Sequence, residues 1–149
     1  MQTGKRSIPV VAFTFLGFEF RPRESQNYKG RIFLNFLPAI SQKAKKKLGD
    51  SIREMKIQRY STRSIEDLAE KINRFVRGVM NYYGIFYKSA MYGILFRIDY
   101  LLRKWSMKKH KSGMKASERW FRKLYKESRE LFVHWKYITP RYAKHLAAE

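Results

Sequence analysis

The sequence predicts a mostly α-helical protein in which an N-terminal β-hairpin leads into a small bundle of three to four helices. Three observations predict it. Aromatic and β-branched residues crowd positions 10 to 20 and apolar residues alternate with others at 31 to 36, which is the pattern of strands. After Pro38 the apolar residues recur every three or four positions, the period of helices with one buried face. Finally, 149 residues with 44% hydrophobic and 16% aromatic side chains suffice for one ordinary domain and are too apolar for a disordered chain.

The elements can be justified in order. Val10 to Phe20 is strand-forming, Arg21-Pro22-Arg23 through Asn27-Tyr28-Lys29-Gly30 supplies the breakers, and Arg31 to Phe36 places Ile32, Leu34 and Phe36 on one face. Two strands alone are marginal, so this hairpin needs a sheet partner or helices to cover it. Ser41 can cap a first helix whose Ile40, Ala44, Leu48, Ile52 and Met55 line one side, with Gly49 weakening it. Ser64-Ile65-Glu66-Asp67 resembles a capping box opening a second helix, striped by Ile65, Leu68, Ile72, Phe75, Val76, Val79 and Tyr83. A third helix from about Ser89 carries Met91, Ile94, Leu95, Ile98, Leu101, Leu102 and Trp105 on its stripe, with Asp99 and Arg103 as an exposed pair, and ends at Lys108 to Gly113. A fourth, from Ala116 or Ser117, buries Trp120, Phe121, Leu124, Leu131, Phe132 and Trp135 and stops before Pro140.

Charge points to the partner. The chain holds 33 Lys plus Arg against 12 Asp plus Glu, a net +21, with a pI near 10.4. Such a surplus repels itself unless a polyanion neutralises it, so nucleic acid leads the candidates. The surplus also climbs along the chain: residues 1–38 carry 6 basic and 2 acidic side chains, 39–87 carry 11 and 5, and 88–149 carry 16 and 5. Basic residues interleave with aromatics around Tyr82-Tyr83, Trp105 to Lys111 and Arg119 to Lys126. Most of these aromatics fall on apolar stripes and belong to the core. Tyr82, Tyr87 and Tyr125 lie off the stripes and are the candidates for stacking on unpaired bases.

Other functions are poorly supported. Zero cysteines exclude disulfides, thiolate catalysis and zinc fingers and fit a reducing interior. His110, His134 and His145 have no metal-ligand spacing. The acids fall mostly on helical surfaces beside basic partners, such as Glu118/Arg122 and Lys123/Glu127, and there is no Gly-rich phosphate loop. No catalytic residue, metal or cofactor is expected. With no readable signal peptide or membrane span, a cytoplasmic location in a bacterium, or an organellar one in a eukaryote, is expected rather than secretion. The basic helix near 89 to 111 raises the option of an anionic membrane, but the apolar stripes have natural partners in each other.

Four segments carry a family resemblance. Phe13-Thr14-Phe15-Leu16-Gly17-Phe18-Glu19-Phe20-Arg21-Pro22-Arg23 resembles the segment that closes the palm of group II intron reverse transcriptases. Ile72-Asn73-Arg74-Phe75-Val76-Arg77-Gly78-Val79-Met80-Asn81-Tyr82-Tyr83 is similar to the signature of the same family's maturase-specific, or thumb, domain. Asp99 to Trp105 and Leu131-Phe132-Val133-His134-Trp135 follow in the family's order, so the resemblance spans about residues 10 to 137.

The resemblance implies an 8–37 hairpin like the end of a palm, a 38–137 thumb-like helical domain and a 138–149 tail. Leu16, Gly17 and Phe18 would correspond to the primer grip, where a glycine lets the backbone approach the strand closely. Asn73, Gly78, Asn81, Tyr83, Trp105, His134 and Trp135 would be structural, with close helix packing explaining Gly78 and a satisfied polar contact explaining Asn81. Such thumbs grip intron RNA, help it reach its splicing-active form and embrace the template-primer duplex. The expected RNA contacts are Lys43, Lys45, Lys46, Lys47, Arg74, Arg77, Tyr82, Arg103, Lys104, Lys108, Lys109, Lys111, Arg119, Arg122 and Lys123.

The departures shape the expectation. The Tyr-x-Asp-Asp turn that holds magnesium in a reverse transcriptase does not occur in these 149 residues, and the usual tryptophan after the signature glycine is Val79. The expected function is therefore an RNA-binding maturase domain without a polymerase site of its own. The alternative is the thumb fragment of a split or truncated RNA-directed DNA polymerase, binding an RNA/DNA template-primer and needing a separate fingers-palm polypeptide.

Overall fold

The computed structural model describes residues 12–21, 23–35 and 38–146. The chain opens with five short strands, β1 (Phe13–Phe15), β2 (Phe18–Phe20), β3 (Arg23–Gln26), β4 (Ile32–Asn35) and β5 (Pro38–Ile40). Four helices follow: α1 (Gln42–Glu54), α2 (Ile65–Tyr83), α3 (Tyr92–His110) and α4 (Met114–Glu127). Single 3-10 turns at Ile57–Tyr60, Lys88–Met91, Val133–Lys136 and Arg141–Ala143 join or close them.

The expected single hairpin divides into two. Leu16 and Gly17 both adopt positive φ, 50° and 82°, the two-residue turn whose twist matches that of paired strands. It joins β1 to β2 antiparallel, with Phe15 opposite Phe18. β5 adds to the other edge of β2, Ile40 opposite Phe18, so the sheet order is β1-β2-β5 while β3 and β4 pair separately. The β3–β4 loop is closed by the Asn27 side chain, which accepts from the amides of Lys29 and Arg31. Ile32 is 71% exposed, so the face predicted for Ile32, Leu34 and Phe36 is not buried at its first member. Phe36 lies outside the described residues, as do Val10 and Val11.

Both predicted caps form. Ser41 Oγ accepts from the amide of Ala44 and Ser64 Oγ from that of Asp67, each satisfying an amide the first turn leaves without a partner. The stripes then close one core. α2 contributes Leu68, Ile72, Val76, Val79 and Met80; α3 Ile94, Leu95, Ile98, Leu102 and Trp105; α4 Phe121 and Tyr125. Fully burying side chains of this size contributes about 1.5–3 kcal/mol each, which dominates the favourable side of folding. Trp105 donates its indole N–H to the Tyr60 carbonyl at 2.7 Å, fixing the segment between α1 and α2 onto α3.

The fourth helix is shorter than predicted. It stops at Glu127, and the chain turns so that Phe132, Val133 and Trp135 enter the core from a 3-10 turn. The cause is buried Asn73 of α2. Its side-chain amide donates to the Leu131 carbonyl and its oxygen accepts from the Val133 amide, both at 2.8 Å. A continuous helix would use those two backbone groups internally and leave a buried amide unsatisfied, at a cost of about 1–3 kcal/mol. Ile138, Tyr142 and Ala143 also join the core, so packing runs on past residue 137, just as β5 carries the sheet past residue 37.

Candidate nucleic-acid interface

A charge network under α3 takes one of the expected cations inward. Asp99 is buried, and its Oδ1 accepts from the Tyr142 hydroxyl at 2.9 Å and the Trp135 indole at 3.3 Å, with His134 Nε2 at 3.4 Å. Its other oxygen lies 3.9 Å from Arg103 Nε, and Arg103 Nη1 reaches Glu118 at 2.8 Å. The pair predicted as exposed is thus internal, with the Arg103 side chain only 13% accessible. Burial, and next the Asp99 charge, push the Tyr142 hydroxyl well above the usual tyrosine range. Asp99 of the third motif and His134 and Trp135 of the fourth meet here, which accounts for their structural role.

Three of the expected RNA contacts are engaged inside the protein. Arg103 is held by Asp99 and Glu118. Lys109 donates to the carbonyls of Ser61 and Arg63 and lies over the Trp105 ring. Arg122 donates from Nε to the Tyr142 carbonyl at 2.7 Å, and Glu118 turns to Arg103 rather than pairing with it. The other cations divide by helix. Lys43, Lys46 and Lys47 are exposed on α1 and Lys45 is half-buried; Arg74 and Arg77 are exposed on α2; Lys104, Lys108 and Lys111 at the end of α3; Arg119 and Lys123 on α4. Of these, Arg74 approaches Glu70 at 3.8 Å and Lys123 approaches Glu127 at 4.0 Å, exposed pairs worth little.

The tyrosine candidates separate in the same way. Tyr125 is buried against Trp135, so its place off the predicted stripe misled: α4 packs on the closing segment as well as on α3. Tyr87 is half-buried beside Arg23. Tyr82 remains 47% exposed, though its hydroxyl donates to the Leu16 carbonyl at 3.0 Å and its ring meets Phe18 and Tyr83.

The turn expected to resemble a primer grip is therefore anchored on α2. A Cβ at Gly17 would crowd the Tyr83 ring at 3.1 Å, and the left-handed φ of 82° already strains any other residue, so the protein's own turn accounts for glycine here. Gly78 and Asn81 differ from expectation. Gly78 is exposed with nothing within 4 Å of a Cβ built there, and Asn81 is exposed beside it, so neither close helix packing nor a buried polar contact explains them. The satisfied asparagine of this motif is Asn73.

Sequence reasoning missed Arg97 and Tyr100. Gly93, Arg97, Tyr100, Lys104 and Lys108 are all exposed on α3 at steps of three or four, one surface of a helix. Tyr100 stands 40% exposed with Lys104 Nζ 5.0 Å from its ring centre, a cation–aromatic contact. Reading the polar face of α3 with the care given to its apolar face would have found both. Arg97 also borders a groove of about 510 Å³ between α1 and α3, whose walls include Lys45 and Lys46. Among the described residues lining it none is acidic.

Comparison with known families decides the assignment. The model of the group II intron maturase-specific domain matches residues 45–126, more than half of the chain. The chain belongs to that family. The maturase-specific domain thus runs from within α1 almost to the end of α4 and includes the α1–α3 groove, Tyr100 and the Asp99–Arg103–Glu118 network. The strands and the closing segment around Asn73's partners lie outside the match. Membership carries a group II intron maturase-type function. No curated protein and no solved structure matches the sequence. Among the described residues no helix is long and apolar enough to cross a membrane.

Proposed function

We propose that this maturase-specific domain binds structured group II intron RNA, chiefly through phosphates, and stabilises its splicing-active form while the RNA itself performs the chemistry. The supporting observation is the sorting of charge: Arg103, Lys109 and Arg122 are engaged internally, whereas exposed cations remain on all four helices. Cations mounted on a packed scaffold release counterions when they neutralise phosphates and reduce the repulsion between RNA helices brought together. If about six to ten phosphates are contacted, the affinity for intron RNA falls with salt at a log-log slope of several units. A nearly flat salt dependence in a filter-binding titration overturns the proposal.

A second reading has its own observation. Phe15, Leu16, Ile85 and Phe86 are all more than half exposed, and Phe18 joins the rings of Tyr82 and Phe86 beneath the hairpin turn. An apolar tip of this kind suits a protein partner, which favours a thumb that docks on a separate fingers-palm polypeptide supplying the catalytic aspartates. DNA synthesis that appears only when the two polypeptides are mixed supports this reading, and none on mixing sinks it.

A further inference from the structure

Arg97 is an arginine whose surroundings single it out. It is exposed on α3 and, among the described residues, forms no hydrogen bond and no ion pair. Its guanidinium nevertheless lies close over one backbone position. It lies across Gly49 in the middle of α1, where a Cβ would come within 2.7 Å of Nη1 and 3.8 Å of Cζ. Glycine inside a helix is less favourable than alanine, and no other side chain lies within 4 Å of a Cβ built there. Gly49 therefore leaves room beneath the far end of an arginine that has no ion pair, and a methyl there would shift the guanidinium.

The surroundings specify the ligand. Across the α1–α3 groove stand Lys45 and Lys46, and Gly93 leaves the α3 wall low, with open space where a side chain would be. Arg97 also borders two neighbouring depressions. One is shared with Arg53 and Lys56, the other with Asp99, Tyr100, Arg103 and Arg141. Lys45, Lys46, Lys56 and Arg141 thus flank Arg97 where the grooves meet, while Arg53 pairs with Asp50 at 3.6 Å. A guanidinium presents a planar fork that matches two phosphate oxygens, and a row of such charges follows a polynucleotide backbone.

We propose that the α1–α3 groove is a channel for the phosphate backbone of an RNA strand, with Arg97, lying over Gly49, gripping one phosphate among the cations that flank it. The inference rests on the RNA-binding reading and locates one strand of the bound RNA. It makes Arg97 a contact residue and Gly49 a positioning residue.

The test compares full-length wild type with Arg97→Gln, Arg97→Lys and Gly49→Ala, using a structured intron transcript across a salt series and thermal melting by circular dichroism. Arg97→Gln loses about five-fold in affinity at physiological salt and about one unit of log-log slope, without a change in melting. Arg97→Lys keeps the charge, loses the fork and falls between the two. Gly49→Ala keeps every charge; it melts at the same or a higher temperature yet binds more weakly, because its methyl displaces the guanidinium. If wild type binds steeply and Arg97→Gln and Gly49→Ala bind equally well, the channel is wrong and the RNA-binding reading stands. If wild type ignores the transcript, that reading falls and the channel loses its ligand. Should Gly49→Ala fail to fold, Arg97→Gln alone decides. Inorganic phosphate at constant ionic strength separates the two phosphate sources: if wild type binds phosphate and Arg97→Gln does not, while the two bind the transcript equally, the groove is a free-anion site and the polynucleotide assignment is overturned.

Discussion

Arg97 and Arg103 lie on the same helix, carry the same charge and contribute identically to the net +21, yet they stand in opposite situations. Arg103 is enclosed between Asp99 and Glu118, and Ser117 donates its hydroxyl to the Arg103 carbonyl. Arg97 lies across a glycine and forms no ion pair among the described residues. Formal charge measures what a chain carries; the charge available to a polyanion is what remains after the fold has engaged its share. The buried site is centred on Asp99, with Glu118 as a second partner of Arg103, whereas the exposed site is the one proposed to meet phosphate.

The largest expected effect breaks the buried side of that contrast. Asp99→Ala leaves Arg103 half-paired and removes the acceptor from Tyr142 and Trp135, so urea denaturation should show a loss of about 3–5 kcal/mol. A loss under about 1 kcal/mol means the network contributes little.

Tyr142→Phe sharpens the contrast through pH. At neutral pH it removes one buried hydrogen bond, about 0.5–1.5 kcal/mol. Because the folded protein holds this hydroxyl above the usual tyrosine range, its contribution is fully present below about pH 10 and declines as the unfolded chain ionises above that value. The decline reaches about 1.4 kcal/mol per pH unit for one proton. Urea midpoints of wild type should therefore fall more steeply than those of Tyr142→Phe above pH 10, and parallel curves would contradict the assignment.

The smallest effect on folding comes from the exposed side. Lys104→Gln, on the outer surface of α3 beside Tyr100, should shift stability by no more than about 0.5 kcal/mol while weakening RNA binding about two- to five-fold at low salt. A large stability loss with unchanged binding would reverse the proposed division of labour between the two kinds of cation.

What was legible in the sequence follows the same line between local and distant. Ser41 and Ser64 were readable as caps because a cap is a bond within one helical turn. The stripes of α2 and α3 were readable because residues three and four apart share a face whatever lies opposite. The family resemblance drew on that same local order of motifs and agrees with the match over 45–126. The end of α4 was not readable, since it is set by Asn73, a side chain on another helix that takes the backbone groups of Leu131 and Val133. Nor was the burial of Asp99 and Arg103, whose i,i+4 spacing looks the same on a solvated surface as beneath a segment that arrives 35 residues later.

The sequence alone therefore determined the apolar stripes of α2 and α3, the caps of α1 and α2, the excess of positive charge and the family to which these belong, because each depends on neighbours along the chain or on composition. Only the tertiary structure decided that Arg103, Lys109 and Arg122 are engaged and that Arg97 is free over Gly49. Arg103 meets carboxylates, whereas Lys109 and Arg122 keep their charge and are oriented by backbone carbonyls; which partner arrives is settled by packing between elements far apart in the chain.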